Sequence, residues 1–158
     1  MNRSEKLFLA ALGSGLLPKA PGTWGSVVGL ISGALVIKFV SVETLFLLTI
    51  LVTLAAVKHI NLYEKRTGIH DDKRIVIDEV AGIWLALCFS GVSPAALVLS
   101  FLFFRIFDIW KPSIIGKIDR EAPGGWGVMG DDLVAGAAAG LASALVIEAF
   151  AYYFGVGI

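Results

Sequence analysis

Four stretches of this chain carry no Asp, Glu, Lys or Arg: Ala20 to Ile37, Thr44 to Val57, Val80 to Phe104 and Leu133 to Ile147. In lipid every backbone N–H and C=O must be bonded within the chain, so uncharged runs of this length read as helices that enter a membrane. The breaks inside them set the helix count. Gly91, Val92, Ser93 and Pro94 interrupt the longest run with a helix stop, an N-cap serine and a proline at the first helical position. That run is therefore two helices in a hairpin, and Ser41 likewise separates a first helix from a second. The pattern predicts five main helices, at roughly residues 24–40, 43–66, 75–91, 94–110 and 131–154. Several are short: 16 residues rise about 24 Å, less than the roughly 30 Å of hydrocarbon, so local thinning or partial immersion is part of the expectation.

Composition supports one domain, residues 1–158, of the all-α integral membrane class. The chain is 57% hydrophobic, with 18 Gly and only 13 Lys+Arg against 13 Asp+Glu, and its mean hydropathy is +0.84. Disorder and a disulfide scaffold are excluded, and Cys88 reads as a small buried hydrophobe. The net charge of +0 gives no basic stripe for nucleic acid. Arg3 and Lys6 before Leu7 to Leu12 imitate a signal peptide, but the apolar core is short and Gly-interrupted; a short interfacial helix is expected instead. A soluble helical domain with helices apolar all round is the competing fold.

The topology sorts the charges without adjustment. Of 13 Lys+Arg, only Lys38 falls on the side that holds the turns near 41 and 92 and the C-terminus. By the positive-inside bias the opposite face lies in the cytoplasm.

The acidic residues gather on that same face, with Glu43 and Glu148 the two that lie toward the other. Asp78 precedes the hairpin tip by about 14 residues and Asp108 follows it by about 15, so both return to one depth, about 21 Å from the turn. Asp131 and Asp132 are expected to open the last helix, where capping is the ordinary role for an aspartate. Small residues follow at i+4 steps, Gly136, Gly140 and Ala144 after Asp132 and Gly82 after Asp78, marking an inner packing seam. Carboxylates that converge from three helices repel one another and call for a cation, and hard oxygen ligands favour Mg²⁺ or a similar ion.

A second constellation is Pro21, Gly22, Thr23, Trp24, Gly25 and Ser26. A helix start with hydroxyls and free N–H groups suits an anion, although any helix needs a cap. Arg105, Lys111, Lys117 and Arg120, with the Gly-rich stretch Gly124 to Gly127, add cations beside the acidic cluster; headgroup contact accounts for Lys117 and Arg120. Such a pairing suits an anionic, metal-bound substrate.

Several phosphatase chemistries are excluded. The position six after Cys88 is Pro94 rather than Arg, the only histidines are His59 and His70, and no Asp-x-Asp occurs. Metal-assisted attack by water is left. A small metal-ion or ion-coupled transport bundle is the alternative, but it would need carboxylates at mid-depth.

Four segments then bear a resemblance: Ala20-Pro-Gly-Thr-Trp-Gly-Ser26, Ile75-Val-Ile-Asp-Glu-Val-Ala-Gly82, Phe104-Arg-Ile-Phe-Asp-Ile-Trp-Lys-Pro112, and Gly124 to Gly136. In order and spacing they resemble the phosphatidylglycerophosphatase A family. The resemblance implies Mg²⁺-dependent removal of the terminal phosphate from phosphatidylglycerophosphate. It carries the family's acidic positions onto Asp78, Glu79, Asp108, Asp131 and Asp132 as catalytic and metal-binding residues. It also carries the Gly-Thr-x-Gly-Ser turn onto Gly22, Thr23, Gly25 and Ser26, with His70 and Asp71 as a further matching stretch. The chain departs from the family at Ser113, Ile114 and Ile115, which bears on loop shape.

Overall fold

The computed structural model describes residues 3–70 and 72–155, and among them every regular element is helical. The helices are α1 (Arg3–Leu9), a 3-10 segment (Ala11–Leu16), α2 (Pro21–Phe39), α3 (Val42–Thr67), α4 (Ile77–Ser90), α5 (Pro94–Trp110), α6 (Ile114–Glu121) and α7 (Gly124–Phe154). The expected breaks occur where local chemistry demands them. Ser41 Oγ accepts the Thr44 N–H at 3.1 Å, and Ser93 Oγ accepts the Ala96 N–H at 3.2 Å, with Pro94 opening α5. Gly91 ends α4 at φ +78°, a conformation that side chains rarely adopt.

Helix α4 is the axis of the bundle, packed by α2, α3, α5 and α7. Its apolar residues belong to both core clusters: Val80 and Ala81 pack with Val57, Ile60 and Met129, and Ile83, Ala86 and Leu87 pack with Phe104, Ala135 and Ala139. A helix apolar all round and walled by protein need not match the bilayer, and α4 is 14 residues long. The outer helices do meet that requirement. α2, α3 and α7 are long and apolar enough to cross a membrane, and they leave Ile31, Leu35, Leu47, Leu51, Leu141 and Leu145 exposed on their outer faces.

The small-residue seam lets α7 lie directly on α4. A Cβ on Gly136 would sit 2.1 Å from the Gly82 carbonyl oxygen, and one on Gly140 would sit 2.4 Å from that of Ala86. Side chains at these positions would hold the helices apart, so glycine sets the distance between two acidic helix ends.

The five main helices expected are α2, α3, α4, α5 and α7, with α1 where a short N-terminal helix was expected, and among the described residues the 3-10 segment and α6 add to them. One expectation is corrected. The last helix starts at Gly124, not near residue 131, because Pro123 and the glycines after it supply its first turn. Asp131 and Asp132 therefore lie two turns inside α7, where capping cannot account for them.

A carboxylate cluster at one end of the bundle

The site end collects the starts of α2, α4 and α7, the end of α5, and α6. Together they wall a cavity of about 470 Å³ that reaches from Pro21 and Gly22 across to Asp131 and Asp132. At its base one carboxylate oxygen each from Asp78, Glu79 and Asp132 lies within 4.8 Å of the others. Sequence neighbours Asp78 and Glu79 open the first turn of α4, and the glycine seam brings Asp132 of α7 to them. Asp78 and Asp132 are buried, and Glu79 Oε2 is a buried oxygen with no hydrogen-bond partner. Three carboxylates crowded in this way, one with an orphaned oxygen, can hold a metal ion.

Two further carboxylates stand at the edge of this group, each beside a cation. Arg105 donates to Asp108 at 2.5 Å and to Ser26 Oγ at 3.4 Å. Lys111 donates to Asp131 at 2.7 Å and also pairs with Asp119, while Asp131 Oδ1 is buried without a partner. Burial of Lys111 would lower its pKa, but hydrogen bonds to Asp119 and Asp131 outweigh this and hold the ammonium well above its ordinary value. The backbone aims Lys111 inward: it caps α5 in the left-handed region at φ +47°, followed by Ser113 at +50°. Lys19 and Ala20, just before α2, are left-handed too, at +62° and +51°. Non-glycine residues in this region are strained; these four lie at or beside the cavity-lining Pro21 and Lys111, whereas Ala11 and Leu12 of the 3-10 segment, left-handed too, do not line the cavity.

The remaining positions singled out from sequence divide. Gly22 lines the cavity, and a Cβ there would meet Glu79 Oε1 at 2.2 Å. Ser26 is buried and donates back to the Gly22 carbonyl at 2.9 Å, so it reaches the cavity through Arg105. Gly25 packs on Val76, and Thr23 does not line the cavity. His70 lines the rim and bonds Glu64 at 2.6 Å; Asp71 lies outside the described residues. Lys73 and Asp119, which sequence reasoning did not single out, also line the cavity. Lys73 sits in the irregular loop between α3 and α4, and Asp119 reaches Lys111 only because the chain reverses at Ser113, so no periodicity marks either.

Fold and cavity together define a membrane-type helical bundle with a cation-rimmed carboxylate cluster at one end. The sequence pattern of one family, phosphatidylglycerophosphatase A, matches residues 7–147. Curated proteins of that name are similar to the chain. The one from Haemophilus influenzae is 35% identical, covering 82% of this chain and 80% of its own length. The one from Escherichia coli is 36% identical, covering 86% and 79%. A Bacteroides thetaiotaomicron protein with a provisional phosphatidylinositol-3-phosphatase name is 36% identical over 78% of this chain and 81% of its own. No solved structure matches. The chain belongs to the phosphatidylglycerophosphatase A family.

Proposed function

We propose that this protein is a Mg²⁺-dependent phosphatase of a bacterial inner membrane, acting at the cytoplasmic face on phosphatidylglycerophosphate to give phosphatidylglycerol and inorganic phosphate. The observation that carries the reading is the cluster of Asp78, Glu79 and Asp132 with its partnerless Glu79 oxygen, set among cations. Hard, crowded carboxylate oxygens fit Mg²⁺, with Asp108 and Asp131 completing the acidic set. When bound, the ion supplies Lewis-acid charge and makes a water more acidic.

The chain's own residues do the rest. Arg105 and Lys111 attract and orient the terminal phosphate, each held by a carboxylate that fixes its direction. Of the α2 turn that runs from Gly22 through Thr23 and Gly25 to Ser26, Gly22 faces the cavity at the helix start and can offer its N–H to the same anion, its lack of a side chain leaves room for the Glu79 carboxylate, and Ser26 acts through Arg105. A carboxylate of the cluster accepts a proton from the water as its oxygen bonds to phosphorus, the bond from phosphorus to the lipid glycerol oxygen breaks, and the proton passes to that oxygen to leave the alcohol and inorganic phosphate. His70 belongs to the rim. One domain, residues 1–158, performs all of this. Transport finds no support in the far carboxylates: Glu43 and Glu148 are both exposed.

The test compares substrates. Purified protein with Mg²⁺ is given phosphatidylglycerophosphate or phosphatidylinositol 3-phosphate in mixed micelles, and phosphate and lipid products are identified. Faster release from the first supports the reading; release from the second alone overturns it.

A further inference from the structure

A diacyl substrate must reach this acidic cavity from the bilayer, and the surface of α5 indicates where. A groove of about 370 Å³ along its outer face is walled by Leu102, Ile106, Ile109 and Trp110. Its remaining wall is Arg105, which also lines the polar cavity. Residues 102, 105, 106 and 109 share one face of a helix, so the groove and the arginine are continuous by construction. The apolar grooves at Phe46 and Leu133, at Val42 and Phe89, and at Val146 and Phe154 share no residue with the cavity.

Arg105 has two chemical ends. Its methylene stem can lie against apolar surface while its guanidinium stays polar, and here the guanidinium turns inward to Asp108 and Ser26. α5 runs toward the site end, which puts Arg105 about 4.5 Å deeper than Asp108. Cavity, guanidinium and apolar groove thus follow one another as phosphate, charge and hydrocarbon do in an anionic phospholipid. Half-exposed Leu102 and Ile106, with the more exposed Ile109 and Trp110, are the apolar part of that sequence. A soluble phosphate ester would have no contact with them.

We propose that the α5 groove seats the glyceride and proximal acyl chains of the substrate, and that Arg105 is the residue where the lipid passes from bilayer to cavity. The proposal rests on the reading of the protein as a lipid phosphatase. It makes Leu102, Ile106, Ile109 and Trp110 determinants of preference for a diacyl phosphate over its water-soluble headgroup.

Two measurements on the full-length protein test it. The first compares kcat/KM for dioleoyl phosphatidylglycerophosphate in mixed micelles with that for the deacylated headgroup phosphate. Ile106→Gln with Ile109→Gln should lower the preference for the diacyl substrate at least about tenfold, equivalent to about 1.4 kcal/mol. Leu141→Gln with Leu145→Gln, an equally exposed pair on α7, should keep the wild-type preference. An unchanged preference in the α5 pair, or an equal fall in both pairs, overturns the proposal. The second measurement needs no turnover: the wild-type protein is photolysed with the same lipid carrying a diazirine in one acyl chain. Adducts within residues 102–110 that excess headgroup phosphate displaces support the groove. Displaceable adducts confined elsewhere, or crosslinks between two copies of the protein through α5, overturn it. Should the wild type release phosphate from neither substrate, the phosphatase reading fails by itself, and the photolysis result decides the groove independently.

Discussion

Replacing Gly136 with alanine adds one methyl group and should disable the site from a distance. The new Cβ would lie 2.1 Å from the Gly82 carbonyl oxygen, 2.7 Å from its carbon and 2.9 Å from its Cα, all backbone atoms of α4. None of these can swing aside as a side-chain tip could. Real Cβ contacts rarely fall under 3.0 Å, so α7 must move off α4 by about 1 Å, and overpacking of this kind costs about 1–3 kcal/mol. Asp132 sits one turn before Gly136, so the displacement also draws its carboxylate from Asp78 and Glu79. A misplacement of about 1 Å at a reacting centre can cost roughly 100-fold in rate. Gly130→Ala is the matched control: its Cβ would meet only a methyl of Ile118 at 3.1 Å, and alanine is favoured over glycine within a helix by up to about 1 kcal/mol. Thermal unfolding in detergent and phosphate release, measured on both variants, decide the matter. Gly136→Ala should melt lower and turn over slowly, and Gly130→Ala should melt at or above the wild type. A Gly136→Ala protein with wild-type melting and turnover would refute the close-packed seam as the device that assembles the cluster.

Thr23→Val combined with Ser26→Ala should raise KM or lower kcat for the lipid, because Ser26 steadies Arg105 at the cavity; a purely structural role predicts a loss of about 1 kcal/mol in stability with unchanged kinetics. Asp72 lies behind the site in a network in which the Arg74 guanidinium, and then the Tyr63 hydroxyl, hold its carboxyl well below the ordinary value against the opposing effect of burial. A depressed folded-state pKa stabilises above the unfolded value and is lost as pH falls toward the folded one, so the melting difference between wild type and Asp72→Asn should be full at pH 7 and shrink below about pH 4. Lys19→Cys, Lys73→Cys and Lys117→Cys, each in a Cys88→Ala background, should resist a membrane-impermeant thiol reagent in intact cells, whereas Val40→Cys should react; the reverse pattern would invert the orientation.

Sequence made the helices and their turns legible because capping is local: Ser41, Gly91, Ser93 and Pro94 act within a few residues of themselves. It also placed Asp78 and Asp108 at one depth, since two arms of a hairpin rise at the same rate. The start of α7 was hidden, because Gly124, Gly125 and Gly127 read as a loop by propensity, whereas tertiary packing of Gly125 on the Val57 backbone makes small residues necessary there. The pairings that divide the five carboxylates were hidden as well. Arg105 to Asp108 is an i,i+3 pair, but the link from Lys111 to Asp131 depends on the left-handed backbone at Lys111 and on α6 folding back, neither of which leaves a periodic trace.

The central claim is that a cation held by Asp78, Glu79 and Asp132 is required for phosphate release from the lipid. It is tested most directly by following phosphate release from phosphatidylglycerophosphate through a Mg²⁺ titration that begins in excess chelator, for the wild type and for Asp78→Asn, Glu79→Gln, Asp108→Asn, Asp131→Asn and Asp132→Asn. The account predicts no release in chelator, saturable recovery with Mg²⁺ in the wild type, and loss of most activity in folded amide variants, deepest for the three clustered positions. Full release in chelator, or wild-type turnover in at least four of the five variants, would contradict it.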